Sequence, residues 1–212
     1  MTRMTAAPSP HSPADRARPG LRERKKIKTR EAIRSATYAL IEEQGYDTTT
    51  IEQIADRAEV SPSTVFRYFP TKEDIVLTDE YGPLMLGELR ARPAGEPWTD
   101  SLRHAMGKAL EPSEEEPEVL RLRARLGVQV PAVRSRMFES MSETGRLLRR
   151  AIADRTGRDP ESLEVRVHAM GLIGSILEVS MYWAENGFED DLRELTGRAL
   201  DVVEHGLPTE NP

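Results

Sequence analysis

Cysteine is absent from all 212 residues, which removes any disulfide framework, thiolate metal site, cysteine nucleophile or thiol switch. Aromatic residues are scarce, at 5%. No apolar run approaches the ~20 residues needed to span a bilayer, and two-residue alternation of the kind that marks a strand is nowhere sustained. The four histidines, His11, His104, His168 and His205, lie far apart, and the chain carries no HExxH, GxSxG or GxxxxGK[ST] pattern. Glu114, Glu115 and Glu116 form a charge run, not an acid/base pair. The expectation is a protein without catalytic residues, metal or cofactor. Four prolines and several arginines occupy the first 20 residues, where a secretory signal would carry its apolar stretch. Cytoplasmic residence without a membrane partner is expected.

Charge is unevenly spread. The net value of −6 would argue against nucleic acid, yet residues 1–72 hold 13 Lys+Arg against 9 Asp+Glu, or +4, leaving −10 for the rest. Most of the positive charge precedes Glu31, in Arg16, Arg18, Arg22, Arg24, Lys25, Lys26, Lys28 and Arg30. A basic arm on an acidic body suits a protein that brings one end to phosphate.

The remaining pattern is helical. Residues 1–20 read as a disordered, proline-rich basic tail and 208–212 as a short tail. Ile33, Ala36, Leu40 and Ile41 mark one face of a first helix that Gly45 closes. Thr50 with Gln53 is a capping-box pattern opening a two-turn helix, and Ser61 before Pro62 opens another that Pro70 stops. Thr71 with Asp74 begins a fourth, read as one helix to about residue 92 with Pro83 as a kink. Further helices are expected at about 98–110, 119–130, 132–152, 161–185, the last capped by Asp159 and Pro160, and from Leu192 to Gly206, making about nine. The fold class is all-α, with a three-helix helix-turn-helix domain over 21–75 and a larger helical domain over 76–207.

Two short helices joined at 59–61 place Ser63, Thr64 and Arg67 where a major groove can be entered, while Val65 and Phe69 anchor the second helix. Arg67 can give two donors to guanine O6 and N7; Tyr68, Thr49 and Lys72 suit phosphate oxygens. The helix starts at Thr50 and Thr71 add amide donors.

Residues 24–75, and above all the run GYDTTTIEQIADRAEVSPSTVFRYFPTKEDIV from Gly45 to Val76, resemble the DNA-binding domain of the tetracycline-repressor (TetR) family. The resemblance implies DNA contacts for Thr49, Ser61, Ser63, Thr64, Arg67, Tyr68 and Lys72, with the last two on phosphate. Phe66 stands where an aromatic hydroxyl is frequent, so a phosphate contact is missing and Phe66 is expected only to pack. The family's plan also implies an effector pocket from about residue 98 onward and pairing of the last two helices with a second copy. In the 161–185 segment, apolar on more than one face, and in the final helix, Leu172, Ile176, Val179, Trp183, Leu195 and Leu200 are the expected dimer residues. Trp98, Met106, Phe138, Met141, His168 and Met170 are the candidate ligand residues, with methionines suited to a flexible apolar ligand. The segment faintly resembles domains that answer to acyl-coenzyme A, in which case Arg121, Arg123, Arg125 or Arg134 would meet phosphate. The function implied is a ligand-responsive repressor binding a palindromic double-stranded operator as a homodimer. An effector-independent activator or architectural protein, and a helical enzyme or small-molecule carrier, remain the alternatives.

Overall fold

Chain propensity, caps and apolar spacing produce ten helices in the computed structural model, which describes residues 20–77, 81–115 and 117–207. The tails expected at 1–20 and 208–212 lie outside the described residues, apart from Gly20, which precedes the first helix. The N-terminal helices are α1 (Leu21–Gln44), α2 (Ile51–Arg57), α3 (Pro62–Tyr68) and α4 (Lys72–Val76). They are followed by α5 (Tyr81–Ala91), α6 (Trp98–Glu115), α7 (Pro117–Gln129), α8 (Pro131–Thr156), α9 (Leu163–Glu185) and α10 (Leu192–His205). No strand occurs among the described residues.

Ten helices replace the nine expected because residues 71–92 hold two. Helix α4 ends at Val76, and Pro83 sits in the first turn of α5, where its missing N–H would have had no helical partner. The expected domain boundary at 75/76 therefore falls inside α4. Helix α6 runs on to Glu115, beyond the end expected at about residue 110. Ser162, not Asp159, stands at the N-cap position of α9, without a side-chain cap bond; Asp159 instead shapes the preceding turn by accepting the Glu161 N–H at 2.9 Å.

Four apolar clusters organise these helices. Ile33, Leu40, Ile54, Ala55, Val65, Phe69 and Ile75 form the core of α1–α4. A second cluster joins Tyr38, Ile41, Tyr46 and Val76 to Leu122 and Leu126 of α7 and Val133 of α8, so the two parts of the chain share buried surface. The largest lies among α5, α6, α8, α9 and α10, and a smaller one links α7, α9 and α10 through Ala124, Val179, Trp183 and Leu195. Each fully buried Leu, Ile or Phe contributes roughly 1.5–3 kcal/mol.

That packing places most of the expected dimer residues inside one chain. Leu172 and Leu200 belong to the largest cluster, and Val179, Trp183 and Leu195 to the smallest, so all five are buried within one chain; of the six only Ile176 is exposed. Helix α9 packs on α7, α8 and α10, and its apolar periodicity serves those neighbours first. Besides Ile176, the outward apolar residues of these two helices are Leu163, Val167, Met170 and Tyr182 on α9 and Val202 on α10. Leu172→Ala should accordingly cost about 2–5 kcal/mol of unfolding free energy in denaturant melts, from lost burial and the cavity left behind. If the loss appeared only as weaker self-association, with unchanged stability of the single chain, this placement of Leu172 would be wrong.

Candidate nucleic-acid interface

Local chemistry sets the geometry of the reading head. Thr50 and Gln53 form a complete capping box at α2, and Gln44 reinforces it by donating to Gln53 Oε1 at 2.9 Å and to the Thr48 carbonyl at 3.0 Å. The turn into α3 puts Glu59 at φ 54°, a left-handed conformation unusual for a residue with a side chain, and Val60 N–H donates back to the Ala55 carbonyl. Ser61 Oγ then accepts the Thr64 N–H at 3.2 Å, with Pro62 at the first helical position. Val65 and Phe69 are buried below, leaving Ser63, Phe66 and Arg67 on the outward face and Thr64 partly covered.

Hydroxyls gather at the start of α3, and the guanidinium lies near its end. The hydroxyls of Ser63 and Thr64 each lie 2.9 Å from Ser61 Oγ, and the Arg67 guanidinium rests 5.4 Å from the centre of the Tyr68 ring. Tyr68 is half-buried against the α1–α4 core. Thr50 and Ser61 act through their caps. Phe66, expected only to pack, is 52% exposed beside Arg67 on the outward face, because the core-facing positions of this two-turn helix are taken by Val65 and Phe69.

Two expected phosphate ligands are occupied internally. Thr49 is 1% exposed and its hydroxyl donates to the Gly45 carbonyl at 2.8 Å, so its side chain closes the turn after α1. Lys72 Nζ donates to the carbonyls of Tyr46 at 2.7 Å and Thr49 at 2.9 Å and lies 3.9 Å from the Tyr46 ring centre. Burial pulls the Lys72 ammonium below its ordinary range, partly opposed by Glu73 and Asp47. Burial, together with its hydrogen bond to Glu73, pushes the Tyr46 phenol upward.

The next residue pair ties this region to the larger domain. Asp74 Oδ2 accepts the Thr71 N–H at 3.0 Å as part of the α4 capping box, while Asp74 Oδ1 accepts Arg136 Nε from α8 at 2.7 Å. Burial raises the Asp74 carboxyl, but the bonds from Arg136 and Thr71 outweigh it and hold the group below its ordinary 3.8. No local sequence pattern announced this contact, which joins residues 62 positions apart.

Within the larger domain, four of the six candidate ligand residues converge. Met106 is in the main cluster, Trp98 and Met141 pack against it, and Trp98 Nε1 donates to His168 Nε2 at 3.1 Å. That bond requires a neutral His168, and burial lowers its pKa accordingly. Phe138 is 54% exposed and Met170 also faces outward, the latter against Gly145 of α8, so neither joins the group. Among the candidate phosphate arginines, Arg134 bonds the carbonyls of Gly127 and Val128 at the end of α7 and Arg121 pairs with Glu118 at 2.8 Å. Arg125 is exposed in a groove between α1 and α7 that Glu42 and Asp47 also line. Asp201, Glu204 and His205 come close enough for a metal, but Arg103 already bonds both carboxylates, at 2.6 and 2.8 Å.

A two-turn helix with a capped start, polar outward face and buried inner face, preceded by a second capped helix, defines a DNA-binding helix-turn-helix protein. Comparison with known proteins gives the family. Residues 33–78 match the model described as bacterial regulatory proteins, tetR family, and residues 96–208 match the MftR C-terminal domain model. The transcriptional regulator TcmR of Streptomyces glaucescens is 45% identical over 80 residues, covering 37% of this chain and 35% of that protein. HbdR of Aromatoleum sp. (strain CIB) is 51% identical over 47 residues, 22% of this chain and 20% of that one. The matched segment thus spans about a third or less of these two relatives. Among solved structures, Thermus thermophilus FadR, a TetR-family repressor in complex with lauroyl-CoA, aligns with TM-score 0.58 and 24% identity over 86% of this chain and 97% of that one. Bacillus subtilis FadR, in complex with stearoyl-CoA, aligns with TM-score 0.56 and 22% identity over 84% and 99%. The chain belongs to the TetR family of bacterial transcriptional regulators.

Asp74 generates a pH prediction. A carboxyl held below its unfolded value stabilises the fold fully above the ordinary carboxylate range and loses that contribution as pH falls through its lower folded value. Asp74→Asn should cost about 1–2 kcal/mol at pH 7, a modest figure because Arg136 is partly exposed, and the gap to wild type should close below about pH 4. Thermal melts from pH 7 to 3 check it; a gap independent of pH would contradict the assignment.

Proposed function

We propose that this regulator is a ligand-responsive repressor that binds a palindromic double-stranded operator as a homodimer. The observation that carries the reading is the outward face of α3, where Ser63, Phe66 and Arg67 stand exposed over the buried Val65 and Phe69. In this reading Arg67 makes the bidentate guanine contact, Phe66 lies against base methyl groups, and Ser63 and Thr64 supply hydroxyls. Tyr68 and the capped starts of α2 and α4 hold phosphate. Lys72 retains one donor at most for phosphate and acts mainly by fixing the turn between α1 and α2. A DNA-bound regulator works in the cytoplasm, and binding with no catalysis is the activity proposed.

A single two-turn helix binds weakly, and a second copy supplies a second half-site. The supporting surface is an apolar groove of about 1040 Å³ between α9 and α10, with the edges of Val179 and Leu195 at its floor and Tyr182 and Val202 in its lining. Leu163, Val167 and Met170 extend the exposed apolar strip along α9. Replacing the exposed Tyr182 and Val202 together with Glu should convert the protein to monomer in sedimentation velocity without lowering its melting temperature through core damage. A dimer of unchanged strength would remove this face from the interface.

For the effector, the cluster around Trp98, Met106, Met141 and His168 is the proposed site, favoured by its adaptable methionines and its one polar pair. The acyl-CoA ligands named for the two FadR structures make a long apolar chain the class to try first. The Arg121 and Arg134 side chains are engaged within the protein, so any phosphate contact would fall to other groups. Such a ligand lowers operator affinity only by binding the non-DNA arrangement more tightly than the DNA-competent one.

Arg67→Ala should weaken binding to a duplex recovered from a random-sequence pool by about 1–3 kcal/mol and narrow the gap to a scrambled duplex. Gel shifts in which the variant matched wild type on both duplexes would refute the role of Arg67 and the docking of α3.

A further inference from the structure

The first three turns of α1 have no core beneath them. Residues 21–28 and 30–32 are exposed, the first buried residue is Ile33, and the tetR-family match begins at that same position. This stretch carries Arg22, Arg24, Lys25, Lys26, Lys28 and Arg30 against only Glu23 and Glu31, in a chain whose net charge is −6. Like charges four residues apart disfavour a helix standing alone, and the exposed Lys26–Glu23 pair at 3.4 Å offsets little of that repulsion.

The placement of these charges is directional. Arg22, Lys26 and Arg30 follow one another at four-residue spacing, which sets them along one inclined stripe of the helix. At its inner end, the Arg30 guanidinium lies 4.6 Å from the centre of the Phe69 ring, and Phe69 is the residue that terminates α3. The stripe therefore begins beside the end of the recognition helix and runs ~12 Å away from it. We propose that it is a second DNA contact, lying along phosphates that flank the groove entered by α3 and outside the helix-turn-helix footprint. This rests on the docking of α3 on duplex DNA. Charge complementarity selects the occupant: the duplex offers one negative charge per ~1.7 Å of its axis, next to the groove where α3 already sits.

Two double variants remove the same charge from different faces of the helix, and glutamine keeps helix propensity in both. R22Q/K26Q lies on the stripe, whereas R24Q/K28Q lies on the far side. Binding is measured between about 50 and 200 mM salt, on a duplex selected from a random pool and on a scrambled one. R22Q/K26Q should lower the slope of log affinity against log salt by about 2 and weaken both duplexes by the same factor. R24Q/K28Q should change the slope by well under 1, and K26Q alone by about half the effect of R22Q/K26Q. Trimming the base pairs that flank the selected site should erase the difference between wild type and R22Q/K26Q. Circular dichroism checks that α1 stays helical. An unchanged slope in R22Q/K26Q and K26Q, or equal losses from both faces, overturns the stripe while leaving α3 docking intact if wild type still discriminates the duplexes. Wild type that fails to discriminate overturns both.

Discussion

The Lys72 ammonium, held between the carbonyls of Tyr46 and Thr49 and against the Tyr46 ring, is the constraint on which the DNA-binding end depends. A helix of seven residues cannot orient itself, because its intrinsic helical stability is marginal at that length. Its aim comes from what brackets it. Before α3, the Thr50–Gln53 box and the Ser61 cap fix the turn; after it, Lys72 pins the start of α4 to the loop ahead of α2. Val65 and Phe69 then have one seating in the core, and the outward face follows from that seating.

The same few residues connect the reading head to the rest of the molecule. Tyr46, Glu73 and Asp74 adjoin Lys72 in space or sequence, and Asp74 shares its carboxylate between the α4 cap and Arg136 of α8. Beneath these bonds, Val76 and Tyr38 pack with Leu122, Leu126 and Val133. A shift of α7 or α8 thus acts on α4 through both apolar packing and a charged hydrogen bond. Any effector seated among Trp98, Met106, Met141 and His168 has a short physical route to α3, because Met141 lies on the same helix as Arg136 and Val133.

What could be read from the sequence was local. The capping box at Thr50, the helix starts at Ser61–Pro62 and Thr71, and the Val65/Phe69 anchor use spacings of one to four residues, and all are present. Charge counting likewise singled out the N-terminal end, although its helical extent and stripe needed the fold. Contacts over long separations were illegible: Lys72 looked like an exposed phosphate ligand because nothing nearby showed the Tyr46 and Thr49 carbonyls 26 and 23 residues away. Helix α9 misled for a different reason. Its apolar residues cover more than one face, and periodicity alone cannot tell which face meets α7, α8 and α10 and which is left for a second copy. Periodicity therefore does not separate Leu172 and Trp183, buried within one chain, from Val167 and Tyr182, which are exposed.

Enrichment and sequencing of duplexes bound from a random pool tests the central claim most directly, since it reports specificity and symmetry together. Two copies of a rigid, α4-pinned recognition helix should select an inverted repeat whose half-site centres lie ~34 Å, or a multiple of it, apart. Recovery of no preferred sequence, or of one unrepeated half-site, would contradict the account.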